Sequence, residues 1–367
     1  MITYTAIENT CDSSVLQCHQ INNESVIKFY RKELQRIWNY DEKMFGTDYF
    51  PGSTPVSLER KQIKKLAEQD YLVSLKADGV RHVLMLTRSS ENEPTAVLIN
   101  RRFDMFEISI WADLEFFENG TLFDGEFVRC KDSSYMYIVF DIIRMNGDYV
   151  GDQPYSKRLS IVERVCEIPQ AVHSTREIED LIIDEKKVVA GENTFQFQLA
   201  TKPFVVLKQA LALWAEKNTF KFKSDGVIMA PAQSTYKMMT SKDIYKWKPL
   251  HTIDVMVASD PQGKLELSLG VSPHILKASS GTLFFEGKDW QCKLVKNVVL
   301  DAEENREWTS VCECTCDILN DTTTLLFTPL MIRTDKNHAN GLTTVKKTLV
   351  NIIERIQIEE LLPRDTA

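Results

Sequence analysis

Apolar residues recur every three to four positions between residues 24 and 39, with polar residues between them. This spacing puts the apolar side chains on one face of a helix. It therefore predicts a helix over residues 24–39 that packs on a core. Its apolar positions are Val26, Phe29, Tyr30, Leu34, Ile37 and Trp38.

Similar patterns continue over the first two thirds of the chain. Residues 57–70 favour a helix with Ser57 as its N-cap, and helical patterns recur around 156–166 and 205–218. Short apolar runs bounded by turn residues predict strands between them. These strands are expected over residues 71–75, 80–86, 95–100, 121–129 and 135–143. Together these elements predict a domain of mixed sheet and helix.

The pattern changes after Pro249. Short strand-like runs alternate with turn residues, as at 260–263 and 279–281, which suits a small barrel. A helical stripe then follows, and it needs an apolar partner. The stripe consists of Val345, Leu349, Ile352, Ile353 and Ile356.

Length and charge narrow the class of protein. A chain of 367 residues can bury a substantial core and is expected to form two domains. It has no apolar run long enough for a membrane span, and its start lacks the layout of a secretory signal, so we expect an intracellular protein that does not contact a membrane. The net charge of −8 argues against extended duplex binding, but it permits a small basic cleft for one RNA end.

The eight cysteines do not suggest a disulfide framework, so reduced thiols are expected. Cys312, Cys314 and Cys316 are spaced by two, as on one face of a strand. A zinc site is the alternative for these three, but no Cys-x-x-Cys pair or suitably spaced histidine accompanies them.

Candidate chemistry begins at residues 76–81, which read KADGVR. An apolar strand leads into Lys76 and a second strand leaves it, so the lysine would lie at a strand corner beside an acid, a glycine and Arg81. A lysine held there can attack a phosphate if its amine is deprotonated and the phosphate is aligned. The same residues also suit an ordinary hairpin, since Asp-Gly is a strong turn signal.

Further motifs follow in a fixed order. They are residues 123–127 (FDGEF), 137–141 (YIVFD), 224–229 (SDGVIM), 246–249 (KWKP) and 333–336 (RTDK). In this order they resemble the motif set of the covalent nucleotidyltransferases, which include mRNA capping guanylyltransferases and ATP-dependent polynucleotide ligases. Additional matches resemble the guanylyltransferase branch, and within it the compact capping enzymes of chlorella-type large DNA viruses. Those matches lie at 50–52, 55–60, 251–254, 333–340 and 345–361.

The resemblance implies an α+β fold. It predicts a nucleotidyltransferase domain of ATP-grasp-like mixed antiparallel sheets and helices over residues 1–249 and a C-terminal OB-fold β-barrel over 250–335. It also predicts that a C-terminal helix within 336–367 packs back on the nucleotidyltransferase domain.

The resemblance also implies a reaction, mRNA guanylyl transfer. Lys76 would take GMP from GTP as a covalent lysyl-N-GMP and pass it to the 5′-diphosphate end of RNA, giving the GpppN cap. Two half-reactions let one site use two substrates in turn. A divalent cation, Mg²⁺ or Mn²⁺, is the expected cofactor.

Site residues carry over one by one. Arg81 and Arg101 would contact ribose or phosphate, and Phe140 would stack on the purine. Lys202 would face guanine. Glu126 and Asp225 would orient the sugar or the lysine and hold the metal.

Two further groups are expected to reach phosphates. Lys246 and Lys248 would reach the α-phosphate, and because they are expected to lie two apart in a strand, both would face the same way into one cleft. Arg333, Asp335 and Lys336 would close on the β- and γ-phosphates to orient pyrophosphate. Asp254 would help to position that segment.

Two alternatives remain open at this stage. An ATP-dependent DNA or RNA ligase shares the lysine chemistry, although ligases usually carry Glu-Gly where this chain has Asp225-Gly226. A catalytically inactive, OB-containing RNA-binding protein is the other alternative. Because the chain shows no phosphatase or methyltransferase motif, a separate RNA triphosphatase and a cap methyltransferase are expected partners. A viral origin would place the enzyme in the cytoplasm or nucleus of an infected cell, or in the virion.

Overall fold

The computed structural model describes nine stretches of the chain, and the account below is confined to them. They are residues 16–39, 50–108, 114–166, 194–259, 265–269, 282–295, 308–319, 323–333 and 336–362. The chain forms two compact units. The first unit comprises Met1–Val56, Lys64–Trp247 and Leu361–Ala367, and the second comprises Ser57–Ile63 and Lys248–Glu360.

The first unit contains most of the strands and helices. Its strands are β1 Leu16–Gln20, β2 Thr54–Ser57, β3 Tyr71–Ala77, β4 Val80–Arg88, β5 Pro94–Asn100, β6 Met105–Ile108, β7 Thr121–Arg129, β8 Tyr135–Met145, β9 Asp148–Tyr149, β10 Thr194–Thr201, β11 Val205–Val206, β12 Ser224–Pro231 and β13 Thr240–Trp247. Its helices are α1 Glu24–Trp38, α2 Ile63–Leu66, α3 Glu115–Glu118, α4 Tyr155–Cys166 and α5 Ala210–Ala215.

The larger sheet of the first unit has the strand order β10-β1-β6-β5-β4-β7-β8-β9, and β10 also pairs with β8 in parallel. Central strands are buried on both faces because their side chains alternate between two cores. On β4, Leu84 and Leu86 join one core cluster. Val83 and Met85 join the other, together with residues of α1. Both faces of β4 are therefore covered, and its N-terminal end carries Arg81 to the site.

The smaller sheet has the order β11-β3-β12-β13-β2. β3 and β12 pair in an antiparallel manner, with Gly226 opposite Lys76 and an irregular register at Asp225. Such a bulge re-aims the side chain of the extra residue. The two sheets of this unit are linked through the β3–β4 corner, which is where Lys76 lies.

The second unit is built on one six-stranded sheet with the order β15-β14-β18-β19-β17-β16. These strands are β14 Ile253–Ser259, β15 Leu265–Ser268, β16 Thr282–Phe285, β17 Lys288–Leu294, β18 Trp308–Leu319 and β19 Thr324–Ile332. Helix α6 spans Leu342–Glu354. Cys312, Cys314 and Cys316 are buried in the core of this sheet, which confirms that they share one strand face.

Helix α6 has two sets of contacts. Val345 and Leu349 are fully buried in the same core cluster as the strands of the second unit, whose sheet covers the apolar stripe. Asn351 donates to the Leu58 carbonyl oxygen at 2.8 Å, and the Arg60 N–H donates to Glu354 at 2.7 Å, so the helix also contacts residues within the range 1–249. Its packing on the body of the nucleotidyltransferase domain stays a prediction. Ile353, which the spacing places on the same stripe, is 49% exposed.

Most predicted elements of the first unit are confirmed, and the differences fall in two stretches. The helix over 24–39 is α1, capped by the Asn23 side chain. The prediction of a single helix over 57–70 is wrong. Ser57 ends β2, and a 3₁₀ turn then spans Arg60–Gln62 and is followed by α2. Glu59 and Gln62 form the capping box of that turn. The stretch 205–218 likewise breaks into β11, 3₁₀ turns and the short helix α5. In the described part of the chain, no helix has the length and apolarity needed to cross a bilayer.

Candidate active site

Lys76 lies at the end of β3, where its ammonium group meets a carboxylate of the neighbouring strand. Lys76 Nζ donates to Asp225 Oδ1 at 2.8 Å. The two side chains are 23% and 34% exposed, so the amine is accessible to a ligand while held in place. Gly79 makes the corner possible, because a Cβ there would lie 2.4 Å from the Phe127 carbonyl oxygen.

Glu126 and Lys202 form a buried pair beside this lysine. Lys202 Nζ lies 4.0 Å from Glu126 Oε2. Burial raises the pKa of Glu126, and Lys202, Lys76 and Arg81 oppose that rise. Burial also lowers the pKa of Lys202, against the attraction of Glu126. Both charges are thus held in a poorly solvated place, which is a common property of ligand sites.

Arg81 is fixed by hydrogen bonds to Asp124, Ser53 and, at 3.4 Å, the Tyr236 hydroxyl before any ligand arrives. Its Nε donates to Asp124 Oδ1 at 2.8 Å, its Nη2 donates to Asp124 Oδ2, and its Nη1 donates to the carbonyl oxygen of Ser53. Burial disfavours the charged guanidinium, but Asp124, Tyr236 and Glu126 together more than offset this, and the pKa of Arg81 lies above its usual value. Such a bidentate pair sets the plane of the guanidinium.

Tyr236 completes this arrangement from outside any sequence motif. Its hydroxyl donates to Asp124 Oδ2 at 2.8 Å and accepts from the backbone N–H of Ser53 at 3.1 Å. Asp124 is fully buried, and Tyr236 is 7% exposed. Gly52 packs against Arg81 so closely that a Cβ would lie 2.7 Å from the guanidinium carbon.

Phe140 presents a half-buried ring between two cations. The guanidinium carbon of Arg81 lies 5.6 Å from the ring centroid, and Lys202 Nζ lies 5.2 Å from it. Tyr155 Oη donates to the Phe140 carbonyl oxygen at 2.9 Å. The next residue, Asp141, is locked in a buried ion pair with Arg158 at 2.7 Å. The ring is therefore supported from its backbone and is bordered by positive charge.

Two further predicted residues belong to the first unit. Burial lowers the pKa of Arg101, and the positive charge of Arg81 lowers it further. The two guanidinium groups are therefore close enough to repel each other. Lys246 is half-buried on β13, opposite Ile228 of β12. Lys248 follows the end of β13 at Trp247, so strand alternation does not orient it with Lys246.

The remaining predicted residues lie in the second unit and form a cluster of their own. Asp254 accepts from Lys336 Nζ and from Arg333 Nη1, the latter at 3.4 Å. Arg333 Nη1 also lies 3.2 Å from Glu313 Oε2. Thr252 donates to the other oxygen of Glu313 at 2.6 Å. Asp335 lies outside the described residues.

The donor set fits a hard divalent cation at Glu126 and Asp225. Asp225 is close enough to raise the pKa of Glu126, so two carboxylates converge on the lysine corner. In the described part of the chain no group of three or more His, Cys, Asp or Glu side chains forms a closed metal cage. Two carboxylates with phosphate and water oxygens are a normal way to hold Mg²⁺ or Mn²⁺.

Seven residues predicted from the sequence do lie around one corner of the first unit. They are Lys76, Arg81, Arg101, Glu126, Phe140, Lys202 and Asp225. Sequence reasoning missed the supporting role of Asp124, although Asp124 lies within the 123–127 motif. It also missed Tyr236 and, in the second unit, Glu313. No local pattern marks Tyr236 or Glu313. Tyr236 acts through Asp124, 112 positions away, and Glu313 acts through Arg333, 20 positions away.

Comparison with known proteins gives a consistent result over most of the chain. The sequence profile described as "mRNA capping enzyme, catalytic domain" matches residues 10–250. The "mRNA-capping enzyme subunit alpha" of Schizosaccharomyces pombe is 28% identical over 349 residues, which cover 87% of this chain and 81% of that protein. The "mRNA-capping enzyme" of Mus musculus is 31% identical over 214 residues, covering 56% of this chain and 34% of that protein.

A looser likeness exists among solved structures. A mycobacterial DNA ligase D complexed with ATP and MES has a TM-score of 0.42 and 13% identity, covering 79% of this chain and 96% of that one. A superposition this loose decides nothing about function.

Proposed function

The chain belongs to the mRNA capping enzyme family, and from that membership we propose that it transfers GMP from GTP to the 5′-diphosphate end of RNA through Lys76. The observation that carries this assignment is the lysine corner itself. Lys76 Nζ is held by Asp225 at 2.8 Å, with Glu126 and the cations Lys202 and Arg81 around it.

In the first half-reaction the Lys76 amine attacks the α-phosphorus of GTP. A P–N bond forms, the bond to the β-phosphate oxygen breaks, and pyrophosphate leaves. The ammonium must lose a proton before it attacks, and Asp225 is the carboxylate within hydrogen-bond reach. Phosphoryl transfer otherwise depends on alignment and on neutralising charge, which the surrounding cations supply.

In the second half-reaction a terminal oxygen of the RNA 5′-diphosphate attacks the same phosphorus. The P–N bond breaks, the new P–O bond completes the triphosphate bridge, and Lys76 takes back a proton. Arg81 and Arg101 would grip ribose or phosphate, since a planar guanidinium suits both. Phe140 would stack on the purine and Lys202 would face its polar edge.

The divalent cation would be held by Glu126 and Asp225, and when bound it neutralises phosphate charge. Lys246 and Lys248 would add contacts to the α-phosphate. These assignments rest on the family resemblance together with the chemistry of the side chains.

We further propose that the second unit is an OB-fold that delivers Arg333, Asp335 and Lys336 to the leaving pyrophosphate. Its six-stranded sheet and the clustering of Arg333 and Lys336 on Asp254 support this. An intracellular site of action and separate triphosphatase and methyltransferase partners stay predictions.

The decisive experiment uses α-labelled GTP or ATP with magnesium, followed by denaturation of the protein. Wild-type protein should retain label from GTP, and added pyrophosphate should remove it. Lys76→Ala should retain none, whereas Lys157→Ala, which removes an exposed lysine elsewhere in the first unit, should label normally. Label from ATP alone would instead indicate a ligase, and label on Lys76→Ala would refute the assignment of the nucleophile.

A further inference from the structure

Four cations lie together on the surface of the first unit, next to the lysine corner. They are Arg129, Lys131, Lys221 and Lys223, and all four are exposed. We refer to them as the four-cation cluster. No site residue discussed above belongs to it.

The cluster is built by two short segments that pair with each other. Cys130 and Phe222 form an antiparallel bridge, and Lys131 N–H donates to the Lys221 carbonyl oxygen at 2.8 Å. Cys130 and Phe222 are both 4% exposed, so the bridge residues face the interior. In an extended chain, side chains alternate between the two faces. The residues before and after Cys130 and Phe222 therefore lie on the outer surface.

This register sets like charges against each other. Lys131 lies opposite Lys221, and Arg129 lies opposite Lys223. Like charges directly across a pair of strands are destabilising. Asp132 is the nearby acid: it accepts from the Ser134 hydroxyl at 2.6 Å and from the Ser134 N–H at 3.0 Å, and these bonds, with a smaller contribution from Lys221, lower its pKa. Lys131 Nζ donates to the Asn218 carbonyl oxygen at 2.8 Å. One carboxylate offsets only part of four positive charges. In a chain of net charge −8, this concentration of positive charge points to an anionic ligand.

Backbone hydrogen bonds attach the cluster to the reaction centre. Asp78 N–H donates to the Lys223 carbonyl oxygen at 2.9 Å, and Ser224 pairs with Ala77. Lys223 is thus two residues from Asp225, the partner of the Lys76 amine. The backbone of Lys223 therefore lies beside the turn that follows Lys76.

Aromatic residues precede one of the two segments in the sequence, and the nearer one, Phe220, lies 5.7 Å from Phe222 between ring centroids. Trp214 and Phe220 are half-buried, and Lys217 Nζ lies 4.1 Å from the Trp214 ring centroid. Cations that follow a backbone, with rings nearby on which bases can stack, are typical of surfaces that bind single-stranded nucleic acid. An acidic protein segment would need the cations but would gain little from the rings.

We propose that the four-cation cluster binds the phosphodiester backbone of the RNA immediately downstream of the 5′ end that receives GMP. The proposal rests on the proposed function, because it assumes that RNA attacks the Lys76 adduct. It adds a second binding region that acts only in the transfer to RNA and only on RNA long enough to reach it.

The test separates the two half-reactions. The variant Lys221→Gln/Lys223→Gln is first compared with wild type in formation of the GMP adduct. Transfer of GMP is then measured to two acceptors, a 5′-diphosphate dinucleotide and a 5′-diphosphate RNA of roughly twenty nucleotides. The longer RNA exceeds common single-strand site sizes. Each single-strand phosphate contact contributes roughly fivefold at about 0.1 M salt. We therefore expect the KM for the long RNA to rise about five- to twentyfold, with adduct formation and transfer to the dinucleotide nearly unchanged.

The salt dependence gives a second readout. For the long RNA, the slope of log(kcat/KM) against log salt should become shallower by about 0.7 for each phosphate that the variant no longer neutralises. Lys28→Gln/Lys32→Gln removes the same charge from an exposed face of α1 and should leave the slope unchanged.

Three outcomes would overturn the proposal. Unchanged transfer to both RNAs would assign the cluster to an acidic protein partner or to no partner. An equal decrease on both RNAs would place the two lysines at the 5′ end itself, and an equal decrease in the control would indicate a general charge effect. Failure of wild-type protein to form the adduct would instead refute the proposed function, which is a distinguishable result.

Discussion

At the scale of single residues, the most informative group is the support around Arg81. Its guanidinium is held by Asp124 and the Ser53 carbonyl oxygen, which leaves N–H donors for a ligand, and Asp124 is in turn bound by Tyr236. An arginine held this firmly can meet a ribose or phosphate without losing further side-chain freedom, which is the advantage of pre-organisation. Tyr236 is therefore a positioning residue that acts through Asp124.

Tyr236→Phe should weaken GTP binding in the first half-reaction. The change leaves a buried carboxylate oxygen of Asp124 without one donor, which costs about 1–3 kcal/mol of unfolding free energy. We expect KM for GTP to rise in adduct formation while kcat stays within about twofold, the pattern of weakened ground-state binding. Steady-state adduct kinetics and a denaturant titration measure both effects.

Tyr149→Phe is the matched control, because Tyr149 is 43% exposed in the same unit. A Tyr236→Phe enzyme with lowered stability but wild-type KM would show that the tyrosine supports only the fold.

The Glu126 and Lys202 pair predicts a shift in pH dependence. Burial raises the pKa of Glu126 above its usual 4.5, and Lys202 is the largest influence that holds it down. As pH falls, Glu126 should therefore protonate, and adduct formation should decline, at a higher pH than for an ordinary glutamate. Lys202→Met removes the nearby positive charge, so the acid limb of kcat/KM for GTP should move to still higher pH.

The pH profile of adduct formation measures that limb directly. Lys208→Met, at an exposed lysine in the same unit, should leave it in place. An acid limb that does not move in Lys202→Met would exclude electrostatic coupling between the two groups.

At the scale of elements, β18 shows how the two-residue period of a strand determines the burial of three cysteines. Cys312, Cys314 and Cys316 alternate with outward residues and are buried in the core of the second unit. Burial raises the pKa of Cys312 to about 11 and that of Cys316 to about 12. It also raises the pKa of Cys314, with smaller contributions from neighbouring groups. These thiols serve as small apolar side chains.

The three thiols should resist alkylation in the native protein at pH 8. A thiol with a pKa of about 11 is ionised in only about one molecule in a thousand at that pH, and the thiolate is the reactive form. Peptide mapping after a brief treatment should find residues 312, 314 and 316 unmodified, and modified after treatment in denaturant. Rapid native modification would mean that the core face of β18 opens readily.

At the scale of the whole molecule, the residues expected to act in catalysis are divided between two compact units. The first unit holds the proposed nucleophile, Lys76, and the residues expected to bind the nucleoside. The second unit holds Arg333 and Lys336, which are paired with Asp254 and Glu313. If these cations serve pyrophosphate departure, they matter for one half-reaction only.

Arg333→Ala should slow adduct formation from GTP and spare transfer from the isolated adduct to RNA. The reason is that pyrophosphate leaves in the first step and plays no part in the second. Lys347→Ala, at an exposed lysine on α6, is the control within the same unit. Normal adduct formation by Arg333→Ala would remove the second unit from the chemistry, and circular dichroism would check that the variant is folded.

Elements that depend on neighbouring residues could be predicted from the sequence better than contacts between distant residues. α1 and the strands around Lys76 were predictable because their apolar spacing is local and strongly periodic. The stretch after Ser57 was not, because a capping box at Glu59 starts a short turn where helical spacing alone suggested one long helix. The apolar partner of α6, the sheet of the second unit, could not be predicted either, because an amphipathic stripe requires an apolar partner but does not identify it.

The sequence by itself determined the local elements and the candidate chemistry. It proposed Lys76, Glu126, Phe140 and Asp225 through the order of the motifs along the chain, because none of the last three is informative from its neighbours alone. Tertiary structure alone decided which groups support them. Tyr236 reaches Asp124 across 112 positions, and the Cys130–Phe222 bridge brings four cations to the lysine corner, since antiparallel pairing joins residues far apart in the chain.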